Sequence, residues 1–204
     1  MSGAQRGAVR RASDAGETRR HPLVRADVVR AAAGLSVLVA ALWIGPVAAA
    51  LLTLVLAGTF VPRWLEAPAW LDVSYGVALL CAAWAGVLGL YEQVGWLDLA
   101  VHLAATGLAA LVAQLAIVRA RLVSWPTVGG TRRDRVGMVL VTTTVGAALA
   151  VAWEIAEWSG HRFLDPTIHV GYDDTISDLA AGVTGSFLAG LLAVVVARRD
   201  ERLP

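Results

Sequence analysis

Five stretches of the chain run long without charge: Ala31–Pro62, Val73–Tyr91, Leu99 up to Arg119, Val136–Trp153 and Leu179–Ala197. A bilayer core needs about 20 mostly apolar residues per helix, so each of the last four predicts one membrane-spanning helix. The first is longer than one helix needs and is interrupted by Gly45-Pro46. Proline inside a helix removes a donor and clashes with the preceding turn. The interruption therefore kinks one long helix or joins two shorter ones.

Arginine placement decides between five and six spans, because Lys and Arg concentrate in cytoplasmic loops. One group comprises Arg6, Arg10, Arg11, Arg19, Arg20, Arg25 and Arg30. A second comprises Arg119, Arg121, Arg132, Arg133 and Arg135, and a third Arg198, Arg199 and Arg202. Six spans put all three groups and Arg63 on one side; five would put the first group opposite the other two. The expected fold is thus an all-α polytopic bundle with helices at 27–44, 47–62, 72–91, 97–118, 136–158 and 177–197. Both termini are expected on the cytoplasmic side of a bacterial inner membrane. Residues 1–24 are expected to form a disordered basic tail, 25–198 a single bundle and 199–204 a short tail, with 124–131 a loop. Arg19-Arg20 resembles a twin-arginine signal, but the apolar run that follows is too long for a signal peptide and lacks a convincing cleavage site. It reads as a basic anchor.

Composition sharpens the class. Hydrophobic residues make up 57% and charged residues 16% of 204, against about 45–50% and about 25% in soluble domains. That excludes a water-soluble enzyme and general disorder. The single cysteine, Cys81, excludes a disulfide framework and a cysteine metal cage; in an apolar helix it reads as a small buried hydrophobe. All 17 basic residues are arginine. Their place beside membrane helices is explained by topology and anionic lipid, so the bilayer is the expected partner and nucleic acid is not. Oligomeric state has no signature here.

The remaining chemistry lies on the other side of the membrane, at the ends of the last three helices. Asp98 and His102 are i,i+4 and share a face, extended by Thr106 and Gln114. Asp98 alone would pass as a first-turn carboxylate favoured by the helix dipole. Glu154 and Glu157 share a face at the end of the fifth helix, between Trp153 and Trp158. There the dipole opposes them, and each ionisable group inside a membrane segment costs about 2.5–3.5 kcal/mol. Belt tryptophans explain Trp153 and Trp158, but Glu154 sits a turn too deep for that. Asp174 and Asp178 are i,i+4 at the start of the sixth helix, with Asp173 beside them. Gly182 and Gly185 follow and read as close packing contacts. Together these carboxylates would repel unless some take up protons or a cation offsets them. Carboxylate and imidazole donors suit zinc, manganese or iron, although no His-Glu-x-x-His motif is present. Asp98, His102, Glu154, Asp174 and Asp178 are the candidate metal ligands, and Glu154, Glu157 and His102 the candidate catalytic residues.

The order and separation of Asp98-x-x-x-His102, Trp153-Glu154-x-x-Glu157-Trp158 and Asp174-Thr175-x-x-Asp178, followed by Gly182 and Gly185, resemble the YjdF-type bacterial inner-membrane proteins. They resemble VanZ-like proteins more distantly; those tend to carry an asparagine where this chain has Ala181 before Gly182. The resemblance covers roughly residues 70–197 and the first two helices only as apolar spans. It implies a compact polytopic bundle with its acids and histidine near one membrane face, and no particular reaction.

Three functions compete. One is a membrane-surface enzyme, metal-dependent, acting on a lipid headgroup or cell-envelope precursor, with Glu154 or Glu157 as general base. A second is a proton-coupled carrier using the Thr106–Gln114 stripe. A third is a non-catalytic partner protein whose polar cluster holds helices together.

Overall fold

Every apolar run forms helix. The computed structural model describes residues 25–123 and 131–200. The expected disordered tail, nearly all of the loop at 124–131 and residues 201–204 lie outside the described residues. Six helices are long and apolar enough to cross a membrane. They are built on α1 (Arg25–Val39), α2 (Pro46–Thr59), α3 (Ala69–Val87), α4 (Leu97–Arg119), α5 (Arg132–Phe163) and α6 (Tyr172–Asp200), the first two reaching spanning length, Ala26–Ile44 and Pro46–Trp64, with the turns that extend them.

The first apolar run is two helices. α1 continues through a π-helical turn, Ala40–Ile44, and stops at Gly45, whose φ of 148° lies outside ordinary L-residue space. Pro46 then opens α2 at the first helical position, where its missing N–H costs nothing. A single turn, Val61–Trp64, extends α2, and another, Leu90–Gln93, follows α3. The span expected at 72–91 therefore begins and ends earlier, closing before the left-handed Gly89.

The last two helices are longer than expected. Thr131 and Asp134 cap α5 reciprocally, the Asp134 carboxylate accepting from the Thr131 N–H at 2.7 Å. The arginines Arg132, Arg133 and Arg135, expected in a loop, thus lie in the first turn of α5. Asp173 and Asp174 fall in the first turn of α6, which begins at Tyr172. The connection between α5 and α6, expected at about 159–176, is accordingly only 164–171.

The helices form two groups. α1 packs on α2 and α3 around Ala40, Leu52, Val55 and Ala83. α6 packs most extensively on α4 and α5. Contacts between α3 and α4, and a core of Leu71, Leu111, Val112, Met138 and Ala189, join the groups. Lipid tails are as apolar as leucine, so close packing rather than hydrophobic burial holds such helices together. Glycine makes that approach possible. A Cβ on Gly107 would stand 2.7 Å from the Gly185 carbonyl oxygen, and one on Gly185 would collide with the Leu103 carbonyl. Gly185 is a packing contact, as its position after the acidic motif suggests.

The arginine end of the bundle is tied by buried charge. Arg30 is buried; its Nε and Nη2 donate to the Thr59 carbonyl at 3.1 and 3.0 Å, and Nη2 also donates to Asp72 at 2.5 Å. Its Nη1 donates to Asp27 at 2.9 Å, and Arg63 reaches the same carboxylate oxygen at 2.6 Å. Arg119 at the end of α4 meets Glu66 between α2 and α3 at 3.2 Å. These pairs put the start of α1, the ends of α2 and α4, and the start of α3 at one end. Arg162 stands exposed at the other end, over the Phe163 ring. Cys81, expected to be buried, is exposed on α3, because on a spanning helix an outward position meets hydrocarbon and suits a small apolar side chain as well as a core does.

Candidate functional site

At the end opposite the salt bridges, α4 and α6 begin and α5 closes. Alternation of direction places these three ends side by side, and helical spacing turns the polar faces inward. His102 is one turn inside α4, with a side chain only 9% exposed. Its Nε2 lies 3.4 Å from Asp98 Oδ1 on the same helix and 3.9 Å from Asp178 Oδ2 on α6. Its Nδ1 lies 4.0 Å from Glu154 Oε1 on α5. Asp178 is more buried still, with 4% of its side chain exposed. One imidazole thus stands among carboxylates from three helices.

Ligand atoms of Asp98, His102 and Asp178 all lie within 4.8 Å of one another, as do those of His102, Glu154 and Glu157. His102 belongs to both sets. Asp174 does not join either; its oxygen lies 3.9 Å from the exposed His169 Nε2 in the outer connection. His161 extends the Glu154–Glu157 face but turns its Nδ1 to the Ile168 carbonyl at 2.7 Å, which pins the connection to α5. Asp165 caps that connection. The Thr167 hydroxyl and N–H donate to it at 2.6 and 2.9 Å and hold its carboxyl below the usual carboxylate range.

The charges are poorly compensated. Among the described residues, no arginine reaches the carboxylates of this cluster, and Glu154 Oε1 is buried with no hydrogen-bond partner. A buried acceptor left unpaired costs roughly 1–3 kcal/mol, more when charged. The other side of Glu154 faces Thr175 and a small cleft of about 250 Å³ between α5 and α6, lined also by Ile155, Trp158 and Val170.

Three neighbours escaped sequence reasoning. Tyr91 precedes α4 and donates its hydroxyl to the Ala82 carbonyl at 2.9 Å. Burial holds its phenol well above the ordinary value, and the charges of Asp98, Glu157 and Asp178 push the same way. Thr175 beside Glu154, and the Trp153 indole beside Glu157 one turn on, complete the surroundings. Spacing could have found Trp153, which was read only as a belt residue. Tyr91 carries no sequence signal, because its approach depends on the turn at Gly89. Lower on α4, Gln114 is bonded to the Thr142 hydroxyl of α5, which also reaches the Met138 carbonyl at 2.8 Å. The deep end of the polar stripe is therefore a helix clasp.

No curated protein and no solved structure matches the chain. A family model does, over residues 26–199. That match takes in α1 and α2, which the resemblance to YjdF-type proteins covered only as apolar spans, and it lends nothing to the VanZ-like comparison. With six apolar helices throughout the matched region, the chain belongs to the family described as Predicted membrane protein (DUF2238).

Proposed function

We propose that this multi-pass protein is an enzyme of the outer face of a bacterial cytoplasmic membrane, both termini inside, that acts on a lipid headgroup or cell-envelope precursor with a divalent ion in the α4–α6 cluster. The observation that carries the reading is Glu154 Oε1: a buried carboxylate oxygen within a spanning helix, without a partner and 4.0 Å from a histidine. Placing ionisable groups there is costly, and packing alone does not call for four carboxylates around one imidazole. A cation offsets their mutual repulsion and supplies Lewis acidity. Glu157, on the same face and beside the Trp153 indole, is suited to take a proton from an attacking water. The cleft at Glu154, opening between α5 and α6, supports a substrate that arrives from the bilayer.

The carrier reading draws less support. Gln114, the deep end of its path, is occupied by Thr142, and the charged groups gather at one end of the bundle instead of the midplane.

The test is metal retention together with turnover. Protein purified in detergent and equilibrated with zinc, manganese or iron(II) is expected to keep about one ion per chain after desalting. His102→Ala should lose it with helicity unchanged. The loaded protein should consume extracted envelope lipid, and Glu157→Gln should not. Folded wild type that keeps none of the three ions contradicts the metal-dependent form; proton flux in proteoliposomes that depends on Glu154 would favour the carrier.

A further inference from the structure

His102 offers two ligand atoms, and they face different partners. Nε2 has Asp98 at 3.4 Å and Asp178 at 3.9 Å; Nδ1 has Glu154 at 4.0 Å. A charge-assisted N–H···O bond is about 2.7–2.9 Å long, so none of these contacts is a closed hydrogen bond. Two atoms each about 2.1 Å from one ion at a tetrahedral angle stand about 3.4 Å apart. The spacing on the Nε2 side is close to that of ligands around a common ion. It is also the side on which two helices each bring a short carboxylate.

A neutral imidazole ligates through one nitrogen and carries its proton on the other. Metal-bound histidines almost always donate that second N–H to a carboxylate or carbonyl, which fixes the ring. Glu154 Oε1 is the acceptor so placed: inaccessible, unpartnered and 4.0 Å from Nδ1. A proton on Nδ1 gives this oxygen the donor it lacks. A proton on Nε2 could serve only one of the two aspartates and would leave Glu154 Oε1 without a donor.

We infer that Asp98, His102 Nε2 and Asp178 hold a divalent ion of the zinc, manganese or iron(II) type, and that Glu154 is no ligand but the positioning residue that accepts the His102 Nδ1 proton. This rests on the metal-dependent reading above. It divides the cluster into a metal half and a proton half, with Glu157, beside the Trp153 indole, grouped with His102 and Glu154 and outside the ligand set.

Isosteric variants separate the roles. The glutamine of Glu154→Gln keeps an acceptor oxygen and loses the charge; the asparagine of Asp178→Asn loses the charged ligand. In zinc titrations of purified full-length protein, Glu154→Gln should bind within about three-fold of wild type, and Glu154→Ala about 10–100-fold more weakly. Asp178→Asn should lose measurable binding. With cobalt(II) in place of zinc, wild type and Glu154→Gln should share one visible spectrum, which exchange of a ligand would change; rescue of binding by glutamine where alanine fails marks the acceptor role. Loss of the ion in Glu154→Gln as complete as in Asp178→Asn would make Glu154 a ligand and overturn the division. So would wild-type affinity in Glu154→Ala. Folded wild type that binds neither zinc nor cobalt would instead bring down the metal reading itself, and this inference with it.

Discussion

Arg30 and His102 show how differently two buried polar residues are treated in one bundle. Arg30 spends its donors on Thr59, Asp72 and Asp27, so its burial is compensated on every side. Removing one partner of a buried pair leaves the other uncompensated, typically at 3–5 kcal/mol, whereas exposed pairs are worth about 0–1. Arg30→Ala should therefore lower detergent unfolding stability by about 3 kcal/mol, and Arg119→Ala, whose pair with Glu66 is largely exposed, by less than about 1. Equal losses would refute the staple. Tyr91 gives a pH prediction. Its folded pKa is raised by burial, so its stabilising contribution is complete below the ordinary phenol value and lost as pH rises through the folded one. An absorbance titration should show this phenol still protonated where exposed tyrosines ionise, with the Tyr91→Phe variant lacking that late step. Residue-scale reading of the sequence succeeded where spacing carries the information, as for Asp98 with His102 and Glu154 with Glu157. It does not reveal the buried pairing of Arg30, because topology-setting and helix-stapling arginines look alike along a chain, or the place of Tyr91, whose neighbours are set by a turn.

At the scale of elements, helix existence was legible and helix ends were not. Apolar length announces a span, but capping decides where it stops. The helices expected at 136–158 and 177–197 stop short of Arg132–Arg135 and Asp173–Asp174, and the Thr131–Asp134 cap and the favourable dipole at the α6 start draw these charged residues into helix. Gly45-Pro46 left one or two helices open; the backbone at Gly45 makes it two. The glycines that let α4, α5 and α6 converge have a sharp test. Gly185→Ala places a methyl against the Leu103 backbone, and overpacking of this kind costs about 1–3 kcal/mol. Gly34, with nothing within 4 Å of an added Cβ, is the control: Gly34→Ala should be neutral or stabilising by up to about 1 kcal/mol through helix propensity. Comparable melting temperatures for the two variants would show that α4 and α6 do not approach so closely.

At the scale of the molecule, the bundle has two unlike ends. One is stapled by arginine–carboxylate pairs, and the other gathers carboxylates around a histidine with, among the described residues, no arginine paired to them. The proposed topology, argued from arginine placement, puts the first end on the cytoplasmic side. With Cys81 replaced by alanine, cysteines introduced at Gly95 and Thr167 should label only from outside, and one at Ala67 only from inside. Labelling of the first two from the cytoplasm would turn the site inward. The central claim is that the cluster gathered from three helices holds one ion, its ligands coming from α4 and α6, and X-ray absorption at the edge of the bound metal addresses it most directly. Zinc-loaded wild type should show a single imidazole nitrogen at about 2.0–2.1 Å, oxygen donors at about 2.0–2.2 Å and no sulfur. A shell of oxygens alone, with no imidazole scattering, or folded protein that carries no zinc into the beam, would contradict it.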